Sequence, residues 1–333
     1  MKIARLTLCL ILILLTGPLF AQRKITIKMA TQIPENTPWG FFLTQIANDW
    51  RKITNGQVDV ILYHNKTAGN EEAVVRNLRL NQLQAAVLST FGLAQVTPEI
   101  MTFSCPFVIR DDKELDLVLN GIKGELEDKI CAKGYFTLAW SRIGWVRFFS
   151  KVPVYEPADM KKLKLGTVNE YETLNQVFRT LGFQMVPVAQ NEVLVALNSP
   201  MVDAVYNSPA AVGSAQLFAL AKNMASLNVA PFIGAVIISQ RTWNSIPENY
   251  RPLLIEAAKK REAELDLVVR KFEDDMIKTM ANYGLVTNKL TPAQEQLWYD
   301  EMEKALPGLM GTFVDKGLYS RIDAILKEHR RKK

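Results

Sequence analysis

The feature that most constrains the fold is a long stretch near the C-terminus without helix breakers. After Pro252 the sequence contains neither proline nor glycine as far as Tyr283, and apolar residues recur at helical spacing. At about 1.5 Å per residue, a helix of this length would be roughly 45 Å long, which is too long for one lobe of such a chain. We therefore expect two lobes that are bridged by one long helix.

Before this stretch, strand patterns alternate with helical patterns and short links join them. The predicted strands cover 24–30, 58–63, 83–88, 163–165 and 184–188, and the predicted helices cover 39–53, 70–80, 170–181 and 192–198. Such alternation favours largely parallel pairing, with helices on both faces of the sheets. Strands near 143–149 and 233–239 are expected to join the lobes. The fold class predicted is α/β, with mixed sheets flanked by helices.

The first 21 residues have the plan of a secretory signal peptide. A basic start precedes an apolar run from Leu6 to Leu15, and small Ala21 stands at the expected cleavage site. The run is shorter than the roughly 20 residues that span a bilayer. Leu19 is large for its place before the cut, so two alternatives stay open. Either the signal is cleaved and the mature chain begins near Gln22, or it is kept as a membrane anchor.

Charge and cysteine content exclude several classes of protein. The chain of 333 residues carries a formal charge of +6, and its last seven residues, 327–333, form a basic tail that we expect to be solvated and frayed. It has no glycine-rich phosphate loop and no interleaving of basic and aromatic residues, so nucleic acid is not an expected partner. Cys105 and Cys131 are the only cysteines beyond the signal, which is too few for a disulfide framework.

Two segments in the middle of the chain carry a resemblance to a known family. They run from Pro153 to Gly166 and from Val202 to Pro209. Their spacing and content resemble the DctP-type extracytoplasmic solute-binding proteins of TRAP (tripartite ATP-independent periplasmic) transporters. The turn from Thr54 to Val58 and the Pro98-Glu99 pair fit the same family pattern. The resemblance implies a two-lobed, periplasmic-binding-protein-like fold with a solute cleft between the lobes.

The alternating pattern, the joining strands and the long helix predict the domain organisation, and the resemblance implies the partners. Residues 1–21 form the signal, 22–144 with 233–272 form lobe I, and 145–232 with 273–326 form lobe II. Such a periplasmic protein needs no cofactor and delivers its solute to a TRAP-type membrane permease, in some systems with a periplasmic tetratricopeptide-repeat protein.

The expected site residues lie at positions that match the family's cleft or in adjacent segments. The matched positions are Thr31, Ser89, Thr90, Arg147, Gly166, Gln190 and Asn207. Aromatic residues in or beside the same segments are Trp39, Phe91, Trp145, Tyr171, Tyr206 and Phe232. Apolar walls with a few polar groups suit an uncharged small molecule.

The position of Gly166 decides the expected ligand class. In the family an arginine stands there and clamps the carboxylate of an organic acid through two charge-assisted hydrogen bonds, which glycine cannot reproduce. We therefore expect an uncharged or apolar solute. The alternative is an organic acid held by Arg147 or Lys164. The spacing from Gly144 to Arg147 exceeds that of the family's secondary arginine by one, and one residue on a strand changes the face.

Nothing in the sequence indicates a catalytic site. His64 and His329 are the only histidines and stand far apart. The adjacent acids Glu71-Glu72 and Asp111-Asp112 are interpreted as solvated turns or helix starts. An envelope enzyme acting on lipid-like substrates is kept as a remote alternative.

Overall fold

The computed structural model describes residues 24–168 and 172–332, so the signal segment and Tyr171 lie outside the described residues. The strands are β1 Ile25–Thr31, β2 Val58–Tyr63, β3 Ala85–Ser89, β4 Tyr135–Ser150, β5 Lys164–Val168, β6 Gln184–Val188, β7 Ala204–Asn207, β8 Asn223–Ala225, β9 Ala230–Ser239 and β10 Val286–Asn288. The helices of the first half are α1 Pro38–Ile53, α2 Glu71–Arg79, α3 Thr90–Ala94, α4 Asp112–Ala132 and α5 Pro157–Met160. Those of the second half are α6 Glu172–Thr180, α7 Val193–Leu197, α8 Pro209–Ser214, α9 Gln240–Ser245, α10 Arg251–Asn282, α11 Pro292–Leu309 and α12 Lys316–Arg330.

The sheet order follows two lobes that share long strands. Along the sheet the order is β2-β1-β3-β9-β4-β7-β5-β6, while β8 pairs with β4 and β10. The pairs formed by β1 with β2 and β3, and by β5 with β6 and β7, are parallel. β9 runs antiparallel to both β3 and β4. The expected α/β fold with mixed sheets is confirmed.

Strand β4 is the main connection between the lobes. It pairs with β9 from Tyr135 to Val146 and then with β7 from Arg147 to Ser150. The register with β9 shifts between Arg142 and Gly144, which marks a β-bulge. A bulge inserts one residue and changes which side chains face each side of the strand. This shift decides the direction of the residues that follow it.

Helix α10 is the long helix that the sequence predicts, with 32 residues. Its buried residues Leu265 and Val269 pack in a core with α1 and β9 of the first lobe. Met280, near its other end, packs in a core with Val188 and Val205 of the second lobe. The helix therefore contributes to the cores of both lobes, as expected.

The C-terminal part differs from the expectation in two ways. Helix α12, expected in lobe II as far as residue 326, buries Leu318, Ile322 and Leu326 in the same core as residues of α4 in lobe I. The tail from residue 327 does not fray at once, because Arg330 pairs with Glu114 at 2.8 Å. Charge composition cannot reveal such a tertiary partner. The remaining lobe boundaries stay a prediction.

The two cysteines in the described residues are both free. Cys105 is buried and Cys131 is exposed. Within 24–168 and 172–332, no helix has the length and apolar character required to cross a membrane.

Candidate functional site

Two adjoining cavities lie where the lobes meet, with volumes of about 490 and 320 Å³. Their walls come from the loops after β1 and β2 and from β3 and β9 on one side, and from the segments around β5, β6 and β7 on the other. Seven residues line both cavities: Gln32, Lys66, Glu71, Ser89, Gln190, Ala211 and Phe232. The two spaces therefore form one cleft, and we call them the larger and the smaller cavity.

Lys66 is placed by an unusual turn between β2 and α2. Asn65 and Lys66 both have positive φ, at 55° and 61°. Their backbone N–H groups donate to the carbonyls of Ile33 and Thr31, at 3.3 and 3.4 Å, which ties the turn to the loop after β1. The ammonium of Lys66 donates to Oε1 of Gln190 on the opposite wall. This hydrogen bond joins the two sides of the cleft.

Glu71 brings a carboxylate to the same place. Asn70 caps α2, since its side chain accepts from the N–H of Ala73, and Glu71 is the first residue of the helix. The Glu71 carboxylate accepts from both the N–H and the hydroxyl of Ser89, each at 2.6 Å. Burial raises the pKa of this carboxyl above its ordinary value, although the hydrogen bonds from Ser89 oppose the shift.

Gly92 provides the space that Glu71 occupies. A Cβ at position 92 would lie 2.8 Å from the Glu71 carboxyl carbon. Any side chain there would displace the carboxylate from the beginning of α3. Glu71 is thus a helix start, as interpreted, but its carboxylate is not solvated, because α3 and Ser89 cover it.

The larger cavity is mainly apolar. Trp39, Ile143, Phe232 and Phe272 are among its lining residues. The indole N–H of Trp39 donates to the carbonyl of Arg142 at 3.2 Å, and its ring contacts Phe272 edge to face, with centroids 5.7 Å apart. These contacts fix the Trp39 ring in the wall of the cavity.

The smaller cavity is more polar and includes residues of the second lobe. Phe91, Tyr206, Asn207 and Thr167 line it together with the shared residues. The side-chain oxygen of Asn207 accepts from the N–H of Ser208 at 2.9 Å. Its NH₂ group is therefore the part of the amide that a solute can use as a donor.

Seven of the expected site residues line the cavities, and three of these line both. The lining set is Trp39, Ser89, Phe91, Gln190, Tyr206, Asn207 and Phe232; of these, Ser89, Gln190 and Phe232 are shared. Tyr171 lies outside the described residues, so the structure places nothing at that position.

Three other expected residues point into the protein interior. Thr31 is buried, and its hydroxyl accepts from the N–H of Ile33 at 3.1 Å. The hydroxyl of Thr90, also buried, donates to the carbonyl of Ile233. The indole of Trp145 donates to Asp112 at 2.8 Å, beside a separate hollow behind β4. None of the three is among the lining residues of the cleft.

Arg147 also faces that separate hollow. Its guanidinium pairs with Glu273 of α10 at 3.6 Å, and both side chains are largely buried. Val146, one residue earlier, lines the smaller cavity instead. The spacing from Gly144 to Arg147 is one residue longer than that of the family's secondary arginine. Arg147 therefore faces away from the cleft, and the bulge before Gly144 does not restore the inward direction.

Gly166 and Lys164 do not supply a clamp either. A Cβ at Gly166 would lie 2.8 Å from Cγ1 of Val202, so a side chain there would meet the second lobe's core. The ammonium of Lys164 donates to the carbonyl of Pro200 at 2.9 Å. Among the described lining residues of both cavities, the only cationic side chain is that of Lys66.

No motif in the sequence selects Gln32, Lys66, Glu71, Val146 or Thr167. The two successive turn residues Asn65 and Lys66 are a local sign of a special loop, but only the fold brings Lys66 to the cleft. A cleft between two lobes, closed by a cross-lobe hydrogen bond and lined by a few polar groups, defines a class: proteins that enclose a small solute.

Comparison with known proteins identifies the family within this class. The family model described as bacterial extracellular solute-binding protein, family 7, matches residues 29–310. The C4-dicarboxylate-binding periplasmic protein DctP of Rhodobacter capsulatus is 25% identical over 281 residues, which is 84% of each chain. The 2,3-diketo-L-gulonate-binding periplasmic protein YiaO of Escherichia coli is 25% identical and covers 76% of this chain and 70% of the relative.

A solved structure agrees. The TRAP periplasmic solute-binding protein of Sulfurospirillum deleyianum, with bound succinate, has a TM-score of 0.80 and 25% identity, and the match covers 91% of this chain and 99% of that one. The chain belongs to the DctP-type family of TRAP periplasmic solute-binding proteins. This family consists of binding proteins of transport systems and works outside the cytoplasm.

Proposed function

We propose that this protein captures an organic acid in the cleft between its lobes and delivers it to a TRAP-type membrane permease. The observation that carries the proposal is the position of Lys66, whose ammonium lines both cavities and reaches across the cleft to Gln190. A solute carboxylate that accepted from Lys66 would replace the amide oxygen of Gln190 with a charged acceptor. Charge-assisted hydrogen bonds are about twice as strong as neutral ones.

The relatives favour this solute class over an uncharged one. Their names and titles mention C4-dicarboxylates, diketogulonate and succinate. The expectation of an apolar solute rested on the absence of an arginine at position 166, and it is not supported. The alternative of an organic acid is the better proposal, with Lys66 in the place expected for Arg147 or Lys164.

Calorimetric titration of the purified mature chain with a panel of organic acids tests the proposal. We expect at least one acid to bind with a dissociation constant in the micromolar range or below, and its neutral amide to bind about ten- to hundredfold more weakly. Lys66→Met should weaken acid binding by a similar factor. Lys164→Met is the matched control and should leave it unchanged.

The proposal fails if no acid binds and a neutral lipid-like molecule copurifies with the protein, as mass spectrometry of released material would reveal. Turnover of such a lipid would favour the enzyme alternative instead. Delivery to a permease, with or without a tetratricopeptide-repeat protein, requires a separate test. Uptake of the acid by cells should stop when the gene for this protein is deleted, and also when that of an adjacent permease is deleted.

A further inference from the structure

The cleft contains the carboxyl group of Glu71, although a carboxylate there would repel the carboxylate of a simple organic acid. Glu71 lines both cavities together with Lys66, and the two side chains carry opposite charges. Among the described residues, no lysine or arginine forms a direct ion pair with the Glu71 carboxylate. Lys66 interacts with it only over a longer range.

The donors that hold Glu71 are neutral. Its oxygens accept from the N–H and the hydroxyl of Ser89 and from the backbone N–H of Gly92. A carboxylate has about four lone-pair directions, so three bonds leave some acceptor capacity, and Glu71 lines both cavities. They also leave the negative charge without a cationic partner. A carboxylate of this kind repels a second carboxylate and attracts an ammonium group.

The same cleft also contains donors for a solute carboxylate. Lys66 supplies an ammonium, and Asn207 supplies an amide NH₂ group in the smaller cavity. Both are donors that suit a solute carboxylate. Because Lys66 and Glu71 form no direct ion pair, a solute with both charges can lie between them.

The larger cavity shows what else the solute carries. Ile143, Phe232 and Phe272 line it, and Phe232 also lines the smaller cavity. An apolar group that extends from the charged region would be removed from water in this space, which favours binding. The chain therefore offers one cationic, one anionic and one apolar subsite.

We propose that the solute is an amino acid with an apolar side chain. Its ammonium group binds the carboxylate of Glu71, its carboxylate binds Lys66 and Asn207, and its side chain lies in the larger cavity. Glu71 is then the residue that selects amino acids over simple organic acids. This inference rests on the proposed function, since an amino acid is an organic acid that also carries an amine.

Other titratable groups near Glu71 are few. Lys66 and His64 belong to the loop before α2, Glu72 to α2 itself and Tyr206 to β7, while β3, α3 and β9 contribute none. The Glu72 side chain is exposed and lines only the smaller cavity. Because Glu72 belongs to the binding cleft, the matched control for Glu71→Gln is Glu35→Gln, which removes the same charge from an exposed residue of the loop after β1 that lines neither cavity.

The first experiment uses the unmodified mature chain and sets of molecules that share one body. One set is L-leucine, 2-hydroxy-4-methylpentanoate and 3-methylbutylamine, and the other is L-phenylalanine, phenyllactate and phenethylamine. Titration calorimetry measures the dissociation constant of each. In at least one set we expect the amino acid to bind about ten- to hundredfold more tightly than its hydroxy acid and its amine.

The second experiment follows the better amino acid in variants and with pH. Glu71→Gln should weaken it about ten- to hundredfold, whereas Glu35→Gln should not. Because burial raises the pKa of Glu71 and an ammonium binds only its ionised form, affinity should increase as the pH rises through that pKa. The dependence should disappear in Glu71→Gln. Circular dichroism confirms that each variant is folded.

Three results would overturn the inference. In the first, a hydroxy acid binds as tightly as its amino acid and Glu71→Gln has no effect. This result would reject an amino acid as the solute and leave the proposed function standing. Affinity that falls with rising pH would mean that protonated Glu71 donates to a solute acid. Binding of no acid and no amino acid would reject the proposed function as well.

Discussion

The buried pair of Arg147 and Glu273 tests whether the structure assigns the arginine correctly. Replacing Arg147 with Ala leaves the Glu273 carboxylate in a largely buried place with the N–H of Trp145, at 3.0 Å, as its remaining donor. Breaking a buried pair costs about 3 to 5 kcal/mol. The pair is 3.6 Å apart and Nε of Arg147 has no partner, so we expect the lower end, about 3 kcal/mol.

This loss can be converted into a melting temperature. Unfolding entropies of about 2.1 cal/mol/K per residue give roughly 0.7 kcal/mol/K for a chain of 333 residues. The variant should therefore melt about 4 °C lower in differential scanning calorimetry. Its affinity for the solute should stay within about twofold of the unmodified protein, because Arg147 does not line the cleft.

The loss should depend on pH in one direction. Burial raises the pKa of Glu273, and Arg147 lowers it, so removal of Arg147 raises that pKa further. An acid whose folded pKa is raised destabilises the fold as the pH rises through that value, and the cost disappears once the carboxyl is protonated. The difference in stability should thus be largest at neutral pH and shrink on acidification.

A matched double variant isolates the cause. Arg147→Met with Glu273→Leu replaces both charges by apolar groups and should recover most of the stability. The reasoning would be refuted if Arg147→Ala weakened solute binding tenfold while leaving the melting temperature unchanged. Such a result would mean that the arginine faces the cleft.

Three further predictions concern stability and access. Gly166→Arg should lose about 1 to 3 kcal/mol of unfolding free energy and gain no acid affinity, because a side chain there meets Val202. Denaturation measures the stability and calorimetry the affinity, with Gly166→Ala as the milder control. A tenfold gain in affinity would contradict this prediction. Arg142→Met removes one of the two arginines that three half-exposed aspartates share and leaves Arg270 as the other. It should cost about 1 kcal/mol in urea unfolding, and an unchanged midpoint would count against this. In thiol titration Cys131 should react in the folded protein and Cys105 only after unfolding, because Cys105 is buried and burial raises the pKa of its thiol. Equal reaction rates of the two thiols in the folded protein would contradict this prediction.

Several parts of the fold can be predicted from sequence because their signals are local. The absence of proline and glycine after Pro252 predicts α10, and the bounds found, Arg251–Asn282, agree closely. Strand β2 and strand β6 were predicted with their observed bounds. Helix α4 was not predicted.

The residues of the candidate site also fall into those that local sequence signals predict and those that they do not. Trp39, Ser89 and Asn207 were selected because motifs place them after strands or turns at the cleft, and they line it. Glu71 and Lys66 belong to no motif. Their role depends on distant partners, Ser89 for one and Gln190 for the other.

The sequence by itself determined the two-lobed α/β architecture, since hydrophobic periodicity and helix breakers act within a few residues. Only the tertiary structure decided which charges meet the solute. After Gly144, Val146 faces the cleft and Arg147 pairs with Glu273, because Arg147 stands one residue further along the strand than the family's secondary arginine. Side chains on a strand alternate, so one inserted residue exchanges the two faces, and no local pattern reveals what each face will meet.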